Sequence, residues 1–305
     1  MAEKPATVRA GRHTVEISRP DKVLFPDDGL TKADLVDHYL AVADRMLPQL
    51  RGRPLMMERY PDGIGKRPLM QKSTPDYFPD WVHRVELGKA GGSVDYAVCD
   101  NAETLAYLAN QACVTVHRWP ARADRPHHPD RLIFDLDPPD DDFAPVRAAA
   151  AATRELLDDL GLASSVMTTG SRGLHVIVPL DRHADFDTVR AFARDAADVL
   201  AARHPDTLTT AARKDGRGGR LYLDVQRNAY AQTAVAPYTV RARPGAPVAT
   251  PLTWDEAADP GIHARTWTVA SIRDRLADDP WADAPKRGYR LTAARRKLDE
   301  LRPDA

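Results

Sequence analysis

Between Arg131 and Gln226 the chain alternates short apolar runs with two stretches of helical periodicity, in the order strand, helix, strand, strand, helix, strand. The first run, Leu132-Ile133-Phe134-Asp135-Leu136-Asp137, is stopped by Pro138-Pro139. Val146, Ala149, Thr153, Leu156, Leu157 and Leu160 then share one helical face, and Gly161 supplies the stop. Residues 164–168 and Leu174–Pro179 read as strands joined through Gly170-Ser171-Arg172-Gly173. Val189, Phe192, Ala196, Val199 and Leu200 form the second helical stripe, and residues 220–226 the last strand, with an extra one around 208–211. This order predicts a ferredoxin-like or RRM-like β-α-β-β-α-β unit. In that topology both helices cover one sheet face, and the first strand lies between the third and fourth.

Side chains alternate along a strand, so Phe134 and Leu136 face the helices while Asp135 and Asp137 face the other way. Two carboxylates on an apolar strand repel each other and lose hydration. Hard Mg²⁺ or Mn²⁺, which takes oxygen ligands, compensates such a pair directly. The dipeptide also fits a strand end that has reached solvent, with Asp137 opening a turn. The predicted topology adds two groups. Asp224 alternates with Leu221, Leu223 and Val225, and His175 with Leu174, Val176 and Val178, so three acids and a histidine are expected on one uncovered face. That set points to a two-metal site. The turn Thr169-Gly170-Ser171-Arg172-Gly173 offers free N–H groups and two polar side chains, a candidate triphosphate cradle beside the acids, although a G-x-x-G hairpin alone is as often an ordinary turn. Residues 203–243 carry eight basic residues against three acids, a phosphate-facing patch or a solvated basic loop. Arg241 and Arg243 are either contributors to the cradle or a surface pair.

The rest of the chain bounds these readings. At 305 residues it holds one large domain or two ordinary ones, and 43 basic against 44 acidic residues select neither nucleic acid nor membrane as partner. Cys99 and Cys113 are too far apart for a C-x-x-C motif, so no zinc ribbon or disulfide framework is suggested. No stretch has membrane-spanning length, and residues 1–12 lack the apolar core of a signal peptide, which predicts a cytoplasmic protein without membrane contact. Thr31 with Asp34 forms a helix-opening capping box, and Leu35, Tyr39, Val42, Met46 and Leu50 continue one helical stripe to Gly52. A second helix fits residues 102–111, and residues 120–130 form a connecting loop whose adjacent His127 and His128 share no helix face, which speaks against a metal pair.

Phe134-Asp135-Leu136-Asp137-Pro138, Gly170-Ser171-Arg172-Gly173-Leu174-His175 and Asp224-x-x-x-Asn228 … Ala236-Pro237-Tyr238-Thr239-Val240-Arg241 occur in that order. Together, over residues 21–254, they resemble the polymerase domain of bacterial ligase D, a member of the archaeo-eukaryotic primase superfamily used in non-homologous end joining, here in a stand-alone form. The resemblance implies an α+β primase-polymerase fold, with an N-terminal α/β module (1–125) packed against an RRM-like catalytic unit (126–255) and followed by a helical extension (256–305), together one compact polymerase domain. It implies a template-dependent nucleotidyltransferase that extends DNA ends and fills gaps, prefers ribonucleotides and Mn²⁺ over Mg²⁺, and works near the nucleoid with a DNA ligase and an end-binding protein. Asp135, Asp137 and Asp224 match its catalytic, two-metal aspartates. His117, Thr169, Ser171, Arg172, His175 and Arg241 match its nucleotide site. Lys22 and Lys32 match lysines that grip the 5′-phosphate of the downstream strand; by residue type alone both read as surface lysines. Lys32 follows the cap Thr31, at a helix N-terminus that favours a bound anion.

Three departures stand out. Thr169 replaces a serine, Leu69-Met70 stands where an aromatic pair often meets the template, and Arg227 and Gln232 replace commoner Gln and Lys. A two-metal nuclease would need the acids without the cradle, and a non-catalytic DNA-end-bridging module the lysines without the acids. A ligase is not expected, because Lys214-Asp215-Gly216 lacks the residue between Lys and Asp that an adenylation motif requires.

Overall fold

In the computed structural model, which describes residues 6–301 except 90, 141 and 286, the chain divides into two interleaved units. One comprises residues up to 119 with 233–249 and 267–278, the other residues 120–232, 250–266 and 279 onward. The segment beyond 256 is therefore shared between them. Among the described residues no helix is long and apolar enough to cross a membrane.

The second unit is built on a six-stranded sheet in the order Leu208–Thr209, Leu221–Asp224, Arg131–Asp137, Leu174–Pro179, Ser165–Thr168, Pro251–Leu252. The Arg131–Asp137 strand lies between the third and fourth strands of the β-α-β-β-α-β unit, as the topology predicts. Helices Ala144–Asp159 and Phe186–Arg203 pack on the face that carries Phe134, Leu136, Leu174, Val176 and Leu223, all buried. Both helical stripes are buried as the 3.6-residue period requires. Asp185 caps the second helix, accepting Thr188 N–H at 2.8 Å. Each large apolar side chain buried in this layer contributes about 1.5–3 kcal/mol, which holds the central strand, and with it Asp135 and Asp137, in one register.

The first unit carries a four-stranded antiparallel sheet in the order Ala234–Val235, Cys113–Arg118, Leu55–Arg59, Leu69–Gln71. It shares a core with helices Lys32–Ala41, Ala43–Leu50 and Ala102–Asn110. Thr31 and Asp34 do form a capping box. The single helical stripe expected over 35–50 is instead two helices broken at Val42. Pro48, inside the second, has no N–H to give to the carbonyl of Asp44, so that one helical bond is missing. The apolar stripe survives the break, and Leu35, Tyr39, Val42, Met46 and Leu50 are all buried.

Candidate active site

Strand register sets the acids. Asp135 pairs directly with His175 on one side and Asp224 on the other, and Asp137 pairs with Tyr222. Cross-strand partners share a face, so Asp135, His175 and Asp224 form one row on the side away from the two helices. That face is not bare, as the topology alone suggested: Asp135 and His175 are each only 3% exposed. Asp135 Oδ1 lies 3.3 Å from His175 Nε2, and Oδ2 accepts a hydrogen bond from Arg227 Nε at 3.1 Å. Burial alone would push the Asp135 carboxyl up. The imidazole and the guanidinium overcome it and hold the group at about 2. Asp137 shifts the other way, pushed up by burial and by the neighbouring Asp135 charge, with Arg172 opposing.

Asp224 Oδ1 is engaged at the strand end, accepting the Gln226 N–H at 2.8 Å. Asn228, fully buried, clamps the short turn Gln226–Asn228 to the central strand. Its Oδ1 accepts from Ile133 N–H at 2.9 Å, and its Nδ2 donates to Ile133 O at 2.7 Å and Val225 O at 3.0 Å. Three hard carboxylates suit Mg²⁺ or Mn²⁺ in donor chemistry. Among the described residues, however, no three His, Cys, Asp or Glu side chains stand together as a ready metal cage, and the cation drawn to Asp135 is Arg227.

The candidate cradle is braced from within. Thr169 N–H donates to Gly173 O at 2.9 Å, and Thr169 Oγ1 accepts Gly173 N–H at 3.2 Å and Ser171 N–H at 3.4 Å. The hydroxyl that replaces a serine thus closes the turn. Ser171 O accepts from Arg265 Nε at 2.7 Å, and Arg172 is exposed. A cavity of about 420 Å³ lies beside this turn, with Arg147, Arg172, His263 and Arg265 on its walls. Two members of the basic stretch 203–243 are engaged in local structure. Arg217 donates to Ala211 O and Ala212 O, and Arg220 to Pro205 O, Gly216 O and Arg217 O, so both staple a loop.

The other expected residues belong to the first unit. His117 Nε2 lies 3.1 Å from Glu58 Oε2, and Tyr60 OH donates to Glu58 Oε1 at 2.6 Å. Burial would raise Glu58, but these partners and the Arg241 charge hold it at about 2. Arg241 therefore shares the electrostatic environment of His117 through Glu58. The segment leading to Arg241 is anchored by buried groups. Tyr39 OH donates to Val114 O and bonds Thr239 Oγ1, both at 2.7 Å, and Thr115 Oγ1 donates to Val240 O at 2.8 Å. Tyr238 in that segment has φ 66°, a left-handed backbone held by the His38 Nε2 bond to its carbonyl at 3.0 Å.

Lys32 is not a surface lysine: it is 4% exposed, and its ammonium donates to Ser18 O and Ser18 Oγ. Burial, then the charges of Arg19 and Lys22, push it down to about 8. Lys32 N–H donates to Lys22 O at 2.9 Å, and Lys22 Nζ lies 3.4 Å from Asp62. Leu69 and Met70 are exposed on an edge strand, Met70 directly across from Glu58. Sequence reasoning missed Glu58, a single acid inside an apolar strand, and gave Asn228 no role. An asparagine four positions after the strand acid Asp224 was the available signal for the latter.

An RRM-like sheet with a row of acids on its helix-free face, flanked by a glycine turn and basic side chains, defines the primase-polymerase class. A sequence model of the LigD primase-polymerase domain matches residues 31–281, and the chain belongs to that family. It is 35% identical over 268 residues, 87% of its length, to the multifunctional non-homologous end joining protein LigD of Mycolicibacterium smegmatis. It is 31% identical over 258 residues to the bifunctional LigD of Bacillus subtilis, 84% of this chain. The chain spans 35% and 41% of the lengths of those two relatives. The polymerase domain from Mycobacterium tuberculosis ligase D, in complex with DNA, matches with TM-score 0.83 and 33% identity over 87% of this chain and 95% of that one.

Proposed function

We propose that this chain is a template-dependent nucleotidyltransferase that extends DNA ends and fills short gaps during end joining, with Asp135, Asp137 and Asp224 holding two divalent ions. The observation that carries this reading is the row Asp135–His175–Asp224, with Asp137 one pair further along, on the helix-free face of a sheet of the polymerase family. Bound ions would supply charge neutralisation for the acids and the triphosphate. The chain's own part is to hold Asp135, Asp137 and Asp224 in register, to brace the turn that carries Ser171 and Arg172, and to present His117 and Arg241 to anionic substrate oxygens. On this reading the partners are DNA ends and gapped DNA, a DNA ligase and an end-binding protein, in a cytoplasmic, nucleoid-associated setting.

Primer extension on a gapped duplex tests it. Nucleotide addition that needs template, triphosphate and Mn²⁺ or Mg²⁺ is the expected result; strand cleavage without synthesis would indicate a nuclease, and binding alone an end-bridging module. Ribonucleotides are expected to be added with higher kcat/KM than deoxynucleotides under Mn²⁺, and equal or inverted values remove the sugar preference.

Lys22 and Lys32 are the proposed grip on a downstream 5′-phosphate. Lys32 is charged below about 8 and loses its proton as pH rises through that value. The phosphate stays dianionic above its second pKa of about 6. The affinity advantage of 5′-phosphorylated over unphosphorylated gapped DNA should therefore fall roughly tenfold from pH 7 to pH 9, following the charged fraction of a group titrating near 8. Fluorescence anisotropy at fixed ionic strength measures it. A Lys22→Ala/Lys32→Ala double variant that keeps the advantage and its pH dependence would place the phosphate elsewhere.

A further inference from the structure

The acid row carries a cation of its own. Arg227 Nε donates to Asp135 Oδ2 at 3.1 Å. A buried carboxylate without a partner is expensive, and Arg227 and His175 are the partners of Asp135. The placement is built into the fold. Arg227 sits between Gln226, whose N–H is capped by Asp224 Oδ1, and Asn228, which clamps the Ile133 N–H and C=O two residues before Asp135. The backbone of Arg227 is thus fixed over the acids. Its side chain is 39% exposed and has a long flexible stem, so the guanidinium can swing into solvent without unfolding the turn.

We propose that Arg227 is a resident competitor for the divalent metal: it satisfies Asp135 until an ion binds, then withdraws, and so sets the metal affinity of this chain. The inference rests on the reading of Asp135, Asp137 and Asp224 as the metal-holding residues. A guanidinium and a divalent ion on the same carboxylate repel each other, and the mobile partner is the arginine. Its departure also frees the turn's charge to follow the substrate phosphates.

Mn²⁺ titration of the full chain, read by the electron paramagnetic resonance signal of free Mn²⁺, tests this without reference to activity. Wild type, Arg227→Gln and Asp135→Asn are compared. The expected result is a dissociation constant about tenfold lower for Arg227→Gln and loss of the tight site in Asp135→Asn. Thermal melts should show Arg227→Gln less stable than wild type in EDTA and gaining more from Mn²⁺. A folded Arg227→Gln with unchanged or weaker Mn²⁺ binding overturns the proposal. Should that variant fail to fold, the wild type still decides. The Arg227 Nε–H signal, assigned by its absence in Arg227→Lys, should be protected from solvent exchange without metal and lose protection as Mg²⁺ saturates the chain. A signal that stays protected at saturation overturns the proposal equally. A wild type whose Mn²⁺ binding is untouched by Asp135→Asn would instead remove the metal-site reading on which the inference stands.

Discussion

Asp135→Asn abolishes nucleotide addition, lowering the primer-extension rate by at least about three orders of magnitude, the scale of loss when a group acting on the reacting atoms is removed. The substitution keeps the shape of the side chain and removes its charge. His175 Nε2 and Arg227 Nε then face a neutral amide in a buried site. The guanidinium, 39% exposed, can turn to solvent, whereas the buried His175 keeps only the amide, so the variant should fold with a modestly lowered Tm. Asp137→Asn is expected to lose activity comparably with a smaller stability cost, because its carboxylate is already destabilised by burial and by the adjacent Asp135 charge. Circular dichroism and melting curves establish folding, and extension of a labelled primer gives the rate. A folded Asp135→Asn that extends primers at the wild-type rate would take the acid row out of the reaction.

Gly173→Ala should be nearly as damaging, for a steric reason. A Cβ there would lie 2.0 Å from the Leu136 carbonyl oxygen, 2.9 Å from its carbon and 3.0 Å from Asp137 Oδ1. The first two are backbone atoms of the central strand, paired on both sides, and cannot move aside. The turn must lift instead, breaking the Thr169–Gly173 bonds and shifting Ser171 and Arg172 from the acids. Overpacking of this kind costs about 1–3 kcal/mol or more. A displacement near 1 Å is enough for about a hundredfold loss in rate. Gly219→Ala is the control: it meets the strain of a φ of 77°, about 1–2 kcal/mol, with nothing within 4 Å of the added Cβ. If Gly173→Ala matches wild type in rate and melting temperature, the close approach of turn and strand has no functional weight.

Local pattern carried a large part of this fold. The strand-helix order of 131–226, the capping box at Thr31 and Asp34, and the alternation that puts Asp135 and Asp137 opposite Phe134 and Leu136 depend on neighbours in the chain, and periodicity reports such relations directly. The break at Val42 was not legible, because the apolar stripe runs straight through it. The burial of Lys32 was not, because it depends on Ser18, fourteen residues away, folding back onto the ammonium.

The RRM-like order, the face of the central strand on which Asp135 and Asp137 lie, and the glycine turn beside them are written in the local pattern of residues. These follow from periods of 2 and 3.6 and from the stereochemistry of Pro and Gly. Folding in three dimensions was needed to bury Asp135 between His175 and Arg227, to let Asn228 clamp Ile133 across 95 residues, to lay Gly173 against Leu136, and to bring Glu58 to His117. Each of these is a contact between strands or turns distant in the chain, set by sheet register and by the need to pair buried charge. No local period encodes such contacts.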